Sequence, residues 1–193
     1  MIKNLIFDIG GVLTEEVNCH ALTHLSVSER EQLSSIFYYK SPGFLEALLG
    51  NKTSADYSAE LVATYPNYEK EIRYLFNPEN LSTTYPIKQQ TLNLLHKLHN
   101  SYKIYFLSDI TDMSYDYIKN TLDTFDGGAY SFQEHIKKPN LEFFKILLNR
   151  YSLDPTETFF FDDREKNVAA AKQLNIQSVI FVDINSVTDA LGS

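Results

Sequence analysis

Three consecutive phenylalanines followed by two aspartates, Thr158-Phe159-Phe160-Phe161-Asp162-Asp163, constrain this chain more than any other stretch. A run so short and so apolar reads as a strand buried on both faces. Two carboxylates at its end are costly unless a cation or hydrogen bonds compensate them. The construction recurs along the chain. Residues 2–7 (Ile-Lys-Asn-Leu-Ile-Phe) stop at Asp8 and the pair Gly10-Gly11, Lys103–Leu107 stops at Ser108-Asp109, and a further run covers Ser178–Val182. Between the runs lie helical patterns: Leu94, Leu95 and Leu98; Phe144, Leu147, Leu148 and Tyr151; Val168, Ala171 and Leu174. Strands alternating with helices predict an α/β fold, a Rossmann-like doubly wound parallel sheet covered on both faces. In such sheets ligands bind beyond the carboxyl ends of the strands, where these acids sit.

The stretch from Val17 to Tyr85 reads differently, as helix after helix with no clear strand. Ser28-x-x-Glu31 forms a capping box ahead of Leu33, Ile36 and Phe37. Ser41-Pro42 opens a short helix that Gly50 closes, Thr53-x-x-Asp56 opens another carrying Tyr57, Leu61 and Val62, and Ile72, Leu75 and Phe76 mark a fourth before Asn77-Pro78. The expected organisation is a core of residues 1–16 and 86–193 with a helical cap, 17–85, inserted after the first strand.

With 193 residues, the chain has room for one sizeable domain or a core with a smaller lobe. Its 25 acidic and 17 basic residues give a net charge of −8. That field repels a phosphate backbone and no Lys/Arg stripe offsets it, so no nucleic-acid partner is expected; an anionic small substrate needs a local cation. Cys19 is the only cysteine, which rules out an intrachain disulfide and a thiolate zinc cage. The N-terminal apolar run is too short for a signal peptide and nothing approaches a membrane span, so the expected home is the cytoplasm, with no membrane partner.

Four signals stand at strand ends in the order Asp8, Ser108, Lys138-Pro139 and Asp162-Asp163, the last with Asn167 just beyond. Each alone has an ordinary structural reading: the acidic pair as a helix cap, Lys138 as a solvated lysine. Together, in this order, they resemble the haloacid-dehalogenase superfamily over essentially the whole chain. The matching motifs are Phe7-Asp8-Ile9-Gly10-Gly11-Val12-Leu13, Ser108, Lys138-Pro139 and Asp162-Asp163-Arg164-Glu165-Lys166-Asn167. The resemblance implies that Asp8 is a carboxylate nucleophile beside Mg²⁺. It implies that Asp8, Asp163 and the carbonyl of Gly10 hold the metal, with Asp162 a direct ligand or one step behind. By the same resemblance Gly11, Ser108, Asp109 and Lys138 meet the substrate phosphate, Ser108 and Lys138 stabilise its charge, and Asn167 orients Lys138 or a metal-bound water. The implied activity is a Mg²⁺-dependent phosphatase of a small phosphorylated metabolite, through an aspartyl-phosphate.

Two positions depart from that pattern. Most phosphatases of the superfamily carry a second Asp two residues after the nucleophile; here the position is Gly10. Its loss opens two alternatives: a weak relative that binds a phosphorylated ligand or partner, and a metal-free haloacid dehalogenase, against which the retained acidic pair argues. Asp-x-Gly-(Gly/Asn)-Val also resembles the α-D-glucose-1-phosphate phosphatase branch, which points to a sugar phosphate, and a hemiacetal leaving group depends less on a general acid. A left-handed conformation is one expectation for Gly10. The second departure is Asp109, where many relatives have Asn; it is read either as a surrogate acid or, preferentially, as the cap of the following helix. His20 and His24, four apart, read as a cap-surface pair, and His96 and His99 as a solvated helix face, while His135 has no assigned role. Tyr38-Tyr39 and Phe44 are candidates for the cap surface over the site, with aromatic packing inside the cap as the default reading.

Overall fold

The computed structural model describes residues 1–192, with Tyr39 described only in its backbone. Strands β1 (Asn4–Phe7), β2 (Lys103–Ser108), β3 (Gly127–Tyr130), β4 (Thr158–Asp162) and β5 (Gln177–Ile180) form one parallel sheet in the order β3-β2-β1-β4-β5. β1 lies at its centre, with Phe7 level with Phe106 on one side and Phe161 on the other. The α/β Rossmann-like fold expected from the alternating pattern is the one observed.

Period-two alternation divides the sheet's side chains between two cores. Leu5, Phe7, Ile104, Phe106, Phe159 and Phe161 point to one face, and Ile6, Tyr105, Leu107 and Phe160 to the other. Helices α6 (Gln89–Leu98), α7 (Asp112–Leu122) and α11 (Ile184–Leu191) cover the first face through Leu95, Ile118, Leu122 and Val187. The short α8 (Ser131–Glu134) follows β3 directly, and helices α9 (Leu141–Arg150) and α10 (Glu165–Gln173) cover the second face through Phe143, Phe144, Leu147 and Ala171. Phe161 stacks between Phe7 and Phe159 at ring separations of 4.8 and 4.7 Å.

Between β1 and α6 the chain forms helices α1 (Val27–Ser34), α2 (Pro42–Leu48), α3 (Ser54–Thr64), α4 (Glu69–Leu75) and α5 (Leu81–Thr84). The segment from α1 to α4 carries a third core of its own around Phe37, Tyr38, Phe44, Tyr57 and Leu61, while Leu81 of α5 joins the first. The two segments that link them to the sheet run side by side, with Glu15 donating to the Pro86 carbonyl at 3.0 Å and Lys88 to the Leu13 carbonyl at 2.8 Å. Among the described residues no helix is long and apolar enough to cross a membrane.

Three local expectations need correction. The α1 capping box is Ser26 with Glu29, not Ser28 with Glu31. The sequence holds two overlapping Ser-x-x-Glu patterns, and the earlier one adds residues to the helix. β3 carries no hydrophobic signal because Gly127-Gly128-Ala129-Tyr130 lacks branched side chains; its glycines admit the Tyr151 and Tyr130 rings. The last strand is Gln177–Ile180, short of the expected Val182, because Asp183 caps α11.

Phe161→Ala removes a fully buried ring between two others and is expected to cost about 3–5 kcal/mol, read as a lowered urea midpoint at unchanged slope.

Candidate active site

Three strand ends bring the predicted residues together. Asp8 follows β1 and is buried, Ser108 ends β2, and Asp162 ends β4. Ser108 donates to Asp8 Oδ1 at 2.8 Å, the Ile9 N–H donates to the same oxygen at 2.7 Å, and Lys138 Nζ lies 2.8 Å from it. All three donors converge on Oδ1, which leaves Oδ2 as the oxygen without them. Lys138 is also 2.7 Å from Asp162 Oδ2, and its side chain is 0% exposed. The solvated-lysine reading therefore fails: this ammonium is enclosed between two carboxylates.

Asp162 is committed. Its Oδ1 accepts from the Arg164 N–H and from Asn167 Nδ2 at 2.9 Å, and its Oδ2 from Lys138 and, at 3.0 Å, from Asn167. Asn167 thus acts on Lys138 through Asp162. Asp163 is the opposite case. Its Oδ1 is buried without a hydrogen-bond partner, and Arg164 Nε stands 3.9 Å away. Asp8, Asp162 and Asp163 each offer an oxygen within 4.8 Å of the others.

Charge is unbalanced at this point. Burial pushes the Asp8 carboxyl up, against the pull of Lys138. Burial and the Asp162 charge push Asp163 up as well, while Asp162 is held below the usual carboxylate range because Lys138 and its hydrogen bonds outweigh its burial. Burial alone would lower the Lys138 ammonium, but Asp8 and Asp162 hold it well above the ordinary lysine range. Lys138, Asn167 and the Arg164 N–H together satisfy Asp162, Lys138 serves one oxygen of Asp8, and Asp163 Oδ1 has no hydrogen bond: a donor set of hard oxygens fit for a small divalent cation.

The glycines divide their work. Gly11, not Gly10, has the left-handed backbone, with φ 77°, and a Cβ there would strike the Asp163 carboxylate. Gly10 is not left-handed, and a Cβ on it would meet only the Tyr85 hydroxyl, at 3.7 Å. Asp109 does not cap the next helix; Thr111 does, accepting from Ser114. Asp109 instead accepts the Lys138 N–H at 2.9 Å and faces Lys137 Nζ at 3.7 Å, so it holds the loop that delivers the lysine.

A cavity of about 530 Å³ opens over Asp8 and Gly10. Tyr38 and Phe44 both pack in the third core and line the cavity; Tyr39's side chain lies outside the described residues. Sequence reasoning missed Tyr85, Glu16 and four cations that also line it: Lys40, Lys137, Arg164 and Lys166. Arg164 pairs with Glu16 at 2.9 Å. The histidines stay apart from the cavity. His24 pairs with Glu71, His135 holds the Leu49 carbonyl, and His96 and His99 pack on Phe125, with His99 also on Asp126.

The model of the haloacid dehalogenase-like hydrolase family matches residues 2–175. The chain belongs to that family. A haloacid-dehalogenase-family enzyme of Bacteroides thetaiotaomicron, solved with magnesium and inorganic phosphate, superimposes with TM-score 0.75 at 26% identity, covering 97% of this chain and 99% of that one. L-2-haloacid dehalogenase of Xanthobacter autotrophicus shares the fold, with TM-score 0.66 at 16% identity over 100% of this chain and 84% of that one. Among curated relatives, D-ribitol-5-phosphate phosphatase of Bacteroides thetaiotaomicron is 24% identical, over 92% of this chain and 91% of its own length. The drimenol cyclase drtB of Aspergillus calidoustus is 26% identical over 94% of this chain, but the chain spans only 34% of that protein. As a hydrolase of this family, the chain has Asp8, Ser108 and Asp162 at strand ends and Lys138 on the loop before α9, with Asp8 opening onto the cavity.

Gly11→Ala combines a left-handed backbone with a collision and is expected to destabilise the hydrolase by about 1–3 kcal/mol. Gly10→Ala should be neutral or stabilising by up to about 1 kcal/mol. Urea midpoints of the two variants test this, and equal losses would contradict it.

Proposed function

We propose that this hydrolase is a Mg²⁺-dependent phosphatase of a small phosphorylated metabolite, with Asp8 as nucleophile. The observation that carries the reading is the charge balance: three carboxylates converge where the enclosed Lys138 contacts only Asp8 and Asp162, and Asp163 Oδ1 is buried without a hydrogen bond, with only Arg164 Nε at 3.9 Å beside it. Asp8, Asp163 and the Gly10 carbonyl would hold the cation, with Asp162 behind them because its lone pairs already serve Lys138, Asn167 and Arg164. The ion supplies charge neutralisation for the phosphoryl oxygens.

This chain's own residues do the rest. Ser108, Lys138 and the Ile9 N–H fix the Asp8 carboxylate through Oδ1, so Oδ2 is the oxygen presented for attack on phosphorus. The P–O bond to the alcohol breaks and an aspartyl-phosphate forms on Asp8, which water then hydrolyses. Lys138 meets the negative charge of the transferred group from an environment without water. Lys40 and Lys166, beside an Arg164 paired with Glu16 and a Lys137 facing Asp109, would supply the local attraction that a net charge of −8 otherwise denies an anion. The metal-free dehalogenase reading gives no use for Asp163.

A sugar or polyol phosphate is the substrate class favoured by the relative named for D-ribitol-5-phosphate. A second substrate reading has its own observation: Val17, Pro42, Phe44, Leu45 and Leu48 give the cap side of the cavity an apolar wall. A 61-residue segment is 36% identical to the sesquiterpene phosphatase astK of Aspergillus oryzae, covering 32% of this chain and 31% of that one, which favours an apolar alcohol. We read residues 17–85 as the cap and 1–16 with 86–193 as the core, in a cytoplasmic enzyme.

Hydrolysis of an aryl phosphate is expected to require Mg²⁺ and to fall to background in Asp8→Asn. Calorimetry should show Mg²⁺ binding that Asp163→Ala loses. A wild-type protein that binds no divalent ion at millimolar concentration would overturn the metal assignment; one that binds phosphate without cleaving any ester would be the weak binder.

A further inference from the structure

We propose that the Tyr85 hydroxyl serves as the proton donor to the leaving group, in the place left empty at Gly10; this rests on the phosphatase reading above. A Cβ at Gly10 would stand 3.7 Å from that hydroxyl, so the phenol occupies the space into which an acidic side chain at position 10 would extend. Tyr85 is 4% exposed, yet it lines the cavity together with Asp8 and Gly10. It lies at the end of α5, where the returning strand of chain pairs with Thr14 and Glu15. Asp8 and Lys138 are among its charged neighbours.

The other candidate donors are occupied. Both oxygens of Asp109 face the 137–138 segment, and Glu16 is the acceptor of the Arg164 guanidinium. Tyr85 carries a donor O–H, has its ring anchored in the sheet core and faces the site. In the first step Asp8 Oδ2 bonds to phosphorus and the P–O bond to the alcohol breaks. The electron pair stays on the departing oxygen, which takes the proton of Tyr85 Oη. In the second step water adds its oxygen to phosphorus, the Asp8–phosphorus bond breaks, and the water's proton restores Tyr85.

A leaving group that needs no proton separates this role from a structural one. Tyr85→Phe keeps the ring and removes only the hydroxyl. Its kcat with an alkyl phosphate such as a polyol phosphate is expected to fall about 100-fold, and by a much smaller factor with p-nitrophenyl phosphate. Adding Gly10→Asp to Tyr85→Phe should recover most of the alkyl phosphate rate, since position 10 has room and an ordinary backbone. Thermal melts of both variants exclude loss of fold as the cause. Equal falls on the two esters, or no fall on either, would overturn the assignment of Tyr85 while leaving the phosphatase reading intact. A wild type that cleaves neither ester would sink that reading, and this assignment with it.

Discussion

Lys138 is the group on which the rest of the site depends. Its ammonium is cut off from water and held 2.8 Å from Asp8 and 2.7 Å from Asp162. A buried charge of this kind persists only when paired, and removing one member of such a pair typically costs about 3–5 kcal/mol. The fold therefore has to bring three strand ends and one loop to a single point. β1 and β4 are adjacent and in register, which sets Asp8 beside Asp162. Asp109 holds the backbone N–H of Lys138, which brings the lysine in between them. Asn167, from the first turn of α10, spans both oxygens of Asp162 and fixes the second anion.

From that arrangement the site's unfinished charge follows. Lys138 contacts Asp8 and Asp162 but not Asp163, whose buried Oδ1 is left without a hydrogen bond and with Arg164 only at 3.9 Å. Gly11 is part of the same arrangement, since its left-handed turn brings the loop after Asp8 against the Asp163 carboxylate with no room for a side chain. The helices between β1 and α6 close the cavity from above with a mixed wall, apolar from Phe44 and Leu48 and cationic from Lys40. On the proposed reading, chemistry belongs to the sheet and the choice of alcohol to the helices.

Much of this was legible in the sequence for a physical reason. A parallel strand buried on both faces must be a short apolar run, so its end is visible, and polar residues at such ends mark the site. Asp8, Ser108 and Asp162-Asp163 all lie at such ends, and the structure brings them together with Lys138. What was hidden depends on geometry that no local pattern encodes. Asp109 was read as a helix cap because it precedes a helix, whereas its partner is the backbone of Lys138, 29 residues away. Tyr85 sits in a helical stretch with no motif around it, and only the crossing of the two linking segments places its hydroxyl at Gly10. β3 was silent because glycines made room for tyrosine rings.

The central claim is that Asp8 is a nucleophile that the enclosed lysine and a divalent ion make competent. Crystals grown with Mg²⁺ and beryllium fluoride test it most directly. The account predicts a tetrahedral fluoride adduct on Asp8 Oδ2, with a cation shared between Asp8 and Asp163. An adduct on another carboxylate, or a cation bound away from Asp163, would contradict it.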